Sequence, residues 1–169
     1  MNPESWGFIG TLFGAIVGAG SSIITTLINS KNAIRIQNEI DKNNREERFR
    51  EFQRNNLLKL QDKLSEVIRL IARADLEDIK HFKNTKEWGT GMLSPEVDNE
   101  LGMGIRQLSI MTERIDNSEL REDVIKLSAQ IGKWMIGKTN EESLAISITL
   151  LENFDELMKK LGTILRATY

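Results

Sequence analysis

From Trp6 to Ile28 the chain runs 23 residues without a charge, and every Lys and Arg lies after that stretch. At about 1.5 Å per residue, a helix of this length reaches roughly 34 Å, enough to cross a hydrocarbon core about 30 Å thick. The pattern therefore predicts a membrane-spanning helix within residues 1–28, with its span at 6–28. Trp6 stands at its border, where an amphipathic ring is favoured. A cleaved signal peptide would need a basic start, and Met1–Ser5 has no basic residue. A buried helix of a soluble core is usually shorter than 23 uncharged residues.

Residues 29–56 are polar, and no Gly or Pro interrupts them. Asp41 with Arg45, and Glu46 with Arg50, stand four apart as acid-then-base pairs that support a helix. The pattern predicts that the membrane helix continues through this segment as a solvated stalk. Beyond it the spacing tightens. Leu57, Leu60, Leu64, Val67, Ile71 and Ala74 alternate steps of three and four, and Ile68, Leu76, Ile79 and Phe82 extend that face to about residue 82. A loop at 84–91 follows, in which Trp88 and the adjacent Met92 are candidate anchors for a partner. Ser94-Pro95-Glu96 opens a second helix, with Ser94 as N-cap and proline where its missing N–H does no harm. Its stripe is Val97, Leu101, Ile105, Leu108, Thr112 and Ile115, and Gly102 and Gly104 either weaken it or permit close packing. Asn117-Ser118 caps a third helix, with Leu120, Val124, Leu127, Ile131 and Trp134 on one face and Gly137 near its end. Thr139 and Glu142 have capping-box spacing ahead of a fourth. That helix carries Leu144, Ile148, Leu151, Phe154, Met158, Leu161 and Leu165. No stretch alternates with the period of a strand. The fold class is all-α: a transmembrane helix, a stalk, and a four-helix bundle at 57–169.

Within the span, Gly10, Gly14 and Gly18 stand four apart, and Ser22 and Thr26 continue the row. Thr11, Ala15 and Ala19 form a second small row beside it. Such a glycine-zipper surface lets helix backbones approach closely, so copies of the chain are expected to pack through Gly10, Gly14, Gly18, Ser22 and Thr26. Thr11, Ser21 and Thr25 are candidates for a water-filled lumen between such copies.

Charge sets the orientation. Lys31, Arg35, Lys42, Arg45 and Arg48 follow the span, and no base precedes it. The positive-inside rule then keeps the bulk of the chain cytoplasmic and sends the short N-terminus across the cell's inner or plasma membrane. The stalk's seven bases and five acids leave it only slightly basic, and the whole chain has a formal charge of −2. Nucleic acid is thus an unlikely partner; the expected ones are the bilayer, the chain itself and a protein bound by the bundle.

Chemistry-bearing residues are sparse. There is no cysteine and one histidine, His81, so no metal or cofactor is expected. Gly137-Lys138-Thr139 lacks the flanking glycine and the strand of a phosphate loop. The chain reads as non-enzymatic, with no catalytic residue.

In layout the chain resembles the membrane-anchored accessory proteins and effectors of bacterial phage-defence systems. One such likeness is to the small pore-forming partner of type VI-B CRISPR nucleases, a HEPN-like bundle on a membrane helix. The likeness rests on Gly10, Gly14, Gly18 and the order of the helices. HEPN nucleases carry Arg and then His after four to six residues, whereas Arg73 and His81 are separated by seven. The resemblance implies an oligomeric membrane protein that forms a pore or perturbs the bilayer in antiviral defence. The alternative is a tethered scaffold whose bundle binds a partner.

Overall fold

A computed structural model describes residues 3–88, 93–136 and 139–168, and within them every side chain except those of residues 3–6 and 8. The border role of the Trp6 ring, the anchor role of Met92 and the helix-ending role of Gly137 fall outside this description. Four helices make up the described chain: α1 Pro3–Thr85, α2 Pro95–Thr112, α3 Ser118–Met135 and α4 Asn140–Ala167. Among the described residues there is no strand. The chain divides into two compact units, Met1–Phe49 and Arg50–Tyr169.

The described residues of the first unit are helix alone. Its apolar side chains, among them Phe13, Ile16, Val17, Ile23 and Leu27, are exposed. Nothing interrupts it because a helix satisfies its own backbone and no proline falls inside it. Asp41 accepts from Gln37 Nε2 at 3.0 Å rather than from Arg45, and Lys42 stands 3.9 Å from Glu46.

The second unit has one apolar core. Leu57, Leu60, Leu64, Val67, Ile71 and Ala74 of α1 are all buried, as the three-four spacing predicts. Facing them are Val97, Leu101 and Leu108 of α2, Leu120, Val124, Leu127, Ile131 and Trp134 of α3, and Leu150, Leu157, Leu161 and Leu165 of α4. The packed unit starts several residues before Leu57, because polar side chains of that stretch already hold distant backbone. Gln53 donates to the Arg114 carbonyl at 3.0 Å and accepts from the Asp116 N–H at 3.1 Å, and buried Asn56 donates to the Met111 carbonyl at 3.2 Å.

The helix ends show which local signals prevail. Asn117 and Thr139 cap as expected, accepting from the N–H groups of Leu120 at 2.8 Å and Glu142 at 3.1 Å. Ser94 does not: its own N–H and hydroxyl both donate to the Glu77 carboxylate of α1, at 3.0 and 3.3 Å. A charged acceptor outcompetes a cap, since hydrogen bonds to an ionised group are the stronger ones. α1 runs to Thr85, where Lys86 turns the chain at φ 65 and donates its N–H to the Phe82 carbonyl at 2.8 Å. Ile115 belongs to the connection after α2 and not to its stripe. It is buried nonetheless, because Gln53 fastens both of its neighbours and Arg121 donates twice to its carbonyl, at 3.0 and 2.7 Å.

Phe154, Met158, Leu161 and Leu165 of α4 pack on the core as spaced, but the first half of the helix is turned away from the predicted face. Ser143, Leu150 and Leu157 point inward, while Leu144, Ile148 and Leu151 are exposed. Leu76 of α1 is exposed as well. The rotation has a polar cause. Asp75, half-buried on α1, accepts from Trp134 Nε1 of α3 at 2.8 Å and from the Ser147 hydroxyl of α4 at 2.8 Å. One carboxylate thus ties three helices, and only this rotation of α4 brings Ser147 to it.

The two glycines of α2 have opposite surroundings. A Cβ on Gly104 would lie 2.8 Å from Val67 Cγ2 of α1, whereas nothing comes within 4 Å of one on Gly102. Gly104 therefore allows α1 and α2 to touch, and Gly102 only weakens its helix. We expect Gly104→Ala to destabilise by about 1–2 kcal/mol through overpacking, and Gly102→Ala to stabilise by roughly 0.5–1 kcal/mol through helix propensity. Chemical denaturation of the full-length protein, followed by Trp fluorescence, tests both signs. Asp75→Ala leaves two donors without their ionised acceptor and is expected to cost about 2–3 kcal/mol in the same measurement.

Candidate membrane segment and interaction surfaces

Among the described residues α1 is the one helix long and apolar enough to cross a membrane, and its apolar stretch near the N-terminus is unburied within the chain. An α-helix turns by about 100° per residue, so the placement of each side chain around the axis follows from its number. Gly7, Gly10, Gly14 and Gly18, with Thr11, Ala15, Ala19, Ser21, Ser22, Thr25 and Thr26, share roughly one half of the circumference. Ile9, Leu12, Phe13, Ile16, Val17, Ile23, Ile24 and Leu27 occupy the other. Among the described side chains two depart: Gly20 stands among the large residues, and Ile28, five full turns after Gly10, stands on that glycine's line. The expected packing row and the expected lumen trio Thr11, Ser21 and Thr25 therefore lie on the same half.

Two observations bear on that half. The hydroxyls of Thr11, Thr25 and Thr26 donate to the carbonyls of Gly7, Ser21 and Ser22, at 3.1, 2.9 and 2.8 Å. These donors are satisfied within the helix and can enter hydrocarbon without further partners. The glycines touch nothing: no atom lies within 4 Å of a Cβ built on Gly10, Gly14 or Gly18. Contacts inside one chain give no reason for glycine at these positions, and each costs about 1 kcal/mol of helix propensity relative to alanine.

The division continues past the span. Ser22, Asn29, Ile36 and Asn43 stand seven apart, as do Thr26, Ala33 and Ile40, so the small-residue half passes into a seam without bases, on which Glu39 and Glu47 also fall. On the other half, Lys31 follows Val17 and Ile24 at sevens, and Arg35 and Lys42 fall beside that line. Arg48 continues the line of Leu27 and Ile34, and Arg45 falls on the same side. Lys31, Arg35, Lys42, Arg45 and Arg48 thus extend the large-residue face and leave the seam free of bases, a feature that counting charges along the sequence passes over.

In the second unit polar clusters hold helices together. Lys160 of α4 bridges Glu119 at 2.7 Å and pairs with Asp123, both on α3; Lys126 also stands 3.3 Å from Asp123. The hydrogen bond from Lys160 holds the Asp123 carboxyl below the usual carboxylate range. Asp78 goes the other way: burial, and then the nearby Asp75, raise it, against a lowering by His81. The Arg73 guanidinium stands 3.8 Å from both Glu77 and Glu96, which leaves it tied to carboxylates. His81 is eight positions further along α1, about 12 Å of rise away. Trp88 is half-buried and packs edge-on against Phe82, with centroids 5.8 Å apart.

No protein-family model, curated protein or solved structure matches the chain.

The two carboxylates should respond to pH with opposite signs. Asp123 is lowered in the fold, so its pair stabilises at neutral pH, and that contribution disappears as pH falls through its native titration. Asp78 is raised, so its ionised form opposes folding at neutral pH, and the penalty is relieved on acidification. Asp123→Asn is therefore expected to lower Tm at pH 7 and Asp78→Asn to raise it. Both differences from wild type should shrink as thermal melts are taken below the carboxylate range.

Proposed function

We propose that this chain is a single-pass membrane protein whose copies associate through the small-residue half of α1 and open a pore or disturb the bilayer. The N-terminus lies outside and the remainder, a four-helix bundle borne on a helical stalk, lies in the cytoplasm of the cell whose inner or plasma membrane it enters. The observation that carries this reading is the division of α1. Small side chains occupy one half and large apolar ones the other, and the juxtamembrane bases continue only the large half. Lipid gives no reason to collect glycines on one side, because acyl chains pack against leucine as well as against glycine; a second helix does give one, by close backbone approach. The bases then face headgroups and water around the assembly, while the seam, free of bases, keeps their mutual repulsion out of the contact between helices beyond the bilayer. An antiviral effector role accords with the layout stated above.

A second reading draws on a different observation. The exposed Leu144, Ile148 and Leu151 of α4 favour a tethered adaptor whose bundle binds another protein. In that case a chain lacking residues 1–28 keeps its binding, which affinity capture of a purified partner would measure.

Permeability decides the first reading. Expression of the full chain is expected to depolarise cells or release a vesicle-trapped dye. Gly14→Leu and Gly18→Leu should abolish release by about tenfold or more while leaving insertion intact, because each places a branched side chain on the packing face. A wild-type chain that inserts and leaks nothing under any trigger would refute it.

A further inference from the structure

Two hydrogen bonds fix how α4 lies along α1 in the second unit. Asp75 accepts from the Ser147 hydroxyl at 2.8 Å, and the Arg54 guanidinium donates to the Thr168 carbonyl at 3.1 Å. Numbers rise along one helix as they fall along the other, so the two are antiparallel, with Asp75 level with Ser147 and Arg54 level with Thr168. At equal rise per residue, and to within about 1.5 Å, Arg69 is level with Glu152, Lys80 with Glu141, and Asp62 with Lys159.

The outer side of this helix pair is an apolar groove between charged rims. Leu76 of α1 is 58% exposed, and Leu144, Ile148 and Leu151 of α4 are 58, 51 and 49% exposed. The α1 rim carries Arg69 and Lys80; the α4 rim carries Glu141 and Glu152. All four are exposed, and none has a side-chain hydrogen bond or ion pair within the chain among the described residues. Further along, at the level of Asp62 and Lys159, the order reverses on both helices at once, with acid on α1 and base on α4.

We propose that this groove is covered by a second copy of the chain, related by a two-fold axis running along the groove. Such an axis turns the α1 rim of one copy onto the α4 rim of the other and preserves height. Arg69 then meets the other copy's Glu152, Lys80 its Glu141 and Asp62 its Lys159, each contact made twice. An axis across the groove would instead set base on base. The level-by-level match between two rims of the same chain is a condition for a two-fold partner, and a foreign protein places no such demand on it. Leu76 of each copy is brought to the Leu144–Ile148 stripe of the other, so the apolar groove closes between the charges. Rim charges of this kind select the partner and the register more than they add affinity. The pairing goes beyond the membrane contact proposed above and does not depend on it.

The natural sequence has no cysteine, so crosslinking tests the contact cleanly. Full-length Arg69→Cys and Glu152→Cys chains carrying different tags are co-expressed and extracted in mild detergent. A short bismaleimide, which alkylates both thiols and needs no oxidant, is expected to join the two tags, and not to join Arg69→Cys to Glu122→Cys on the outer face of α3. Arg69→Glu and Glu152→Arg should each weaken pairing about tenfold or more, and the double variant should recover most of it. Both substitutions lie on exposed positions, and an unchanged helical spectrum and melting temperature would confirm that each chain is folded. Single reversals that pair like wild type, or a double variant as weak as the singles, would overturn the proposal. The crosslink is also read in the Gly14→Leu chain. Its persistence there, with permeability lost, supports the groove contact separately from the membrane face. Its absence from chains with the natural membrane segment overturns the groove contact and leaves the membrane reading standing.

Discussion

A helix satisfies its own backbone, and α1 depends on that property throughout. Every peptide group inside it has a partner four residues away, so side chains alone decide which surroundings each stretch suits. In the first unit the side chains are uncharged for 23 residues, and the threonine hydroxyls that would be costly in hydrocarbon return to the helix's own carbonyls. In the second unit the same backbone presents Leu57, Leu60, Leu64 and Val67 as one wall of a core. A proline anywhere between would have broken this arrangement, and the two prolines of the chain stand at α1's first residue and at the start of α2.

Much of the helical order was legible in the sequence because core positions recur at three and four. The α1, α2 and α3 stripes are buried almost as spaced, and Asn117 and Thr139 cap where their residue types say they should. The failures have a common origin in contacts between residues far apart in the chain. Ser94 has the right type and the right proline after it, yet Glu77, 17 residues earlier, takes its hydrogens. Ile115 has the right spacing for α2 but is buried from a loop, because Gln53 and Arg121 hold that loop against the core. On α4 apolar residues cover so wide an arc that two different stripes satisfy the period. Asp75 chooses between them, and nothing local to α4 records the choice.

Glycine illustrates the same limit from the side of the candidate site. The sequence places glycines at 10, 14, 18, 102 and 104, and spacing alone cannot rank them. The structure separates them by surroundings. Gly104 is where α1 and α2 touch, and Gly102 faces open space. Gly10, Gly14 and Gly18 also face open space, yet all three fall on the half of α1 that holds the small residues. A row of positions that each forgo roughly 1 kcal/mol of propensity gains no contact inside the chain to offset it. The seam of Asn29, Ala33, Ile36 and Ile40 shares that side, which carries no Lys or Arg up to Phe49. The side was readable only after the helix had been shown to run without interruption from the glycines to the seam.

The exposed stripe on α4 admits a comparable energetic argument. Burying Leu144, Ile148 and Leu151 in place of Leu150 and Leu157 would gain about one extra side chain of apolar burial, roughly 1.5–3 kcal/mol. The rotation would carry Ser147 away from Asp75, and a hydrogen bond to a carboxylate contributes about the same amount, roughly 1.5–3 kcal/mol. It would also leave a half-buried carboxylate with one of its two partners gone. Within one chain the two rotations are therefore closely matched, and the observed one keeps the polar tie while leaving apolar side chains at the surface. A second copy removes the conflict. In the proposed pair the inward face keeps Asp75, Trp134 and Ser147 together, and the outward face buries Leu144 and Ile148 against Leu76 of the partner copy, so the polar tie no longer competes with apolar burial.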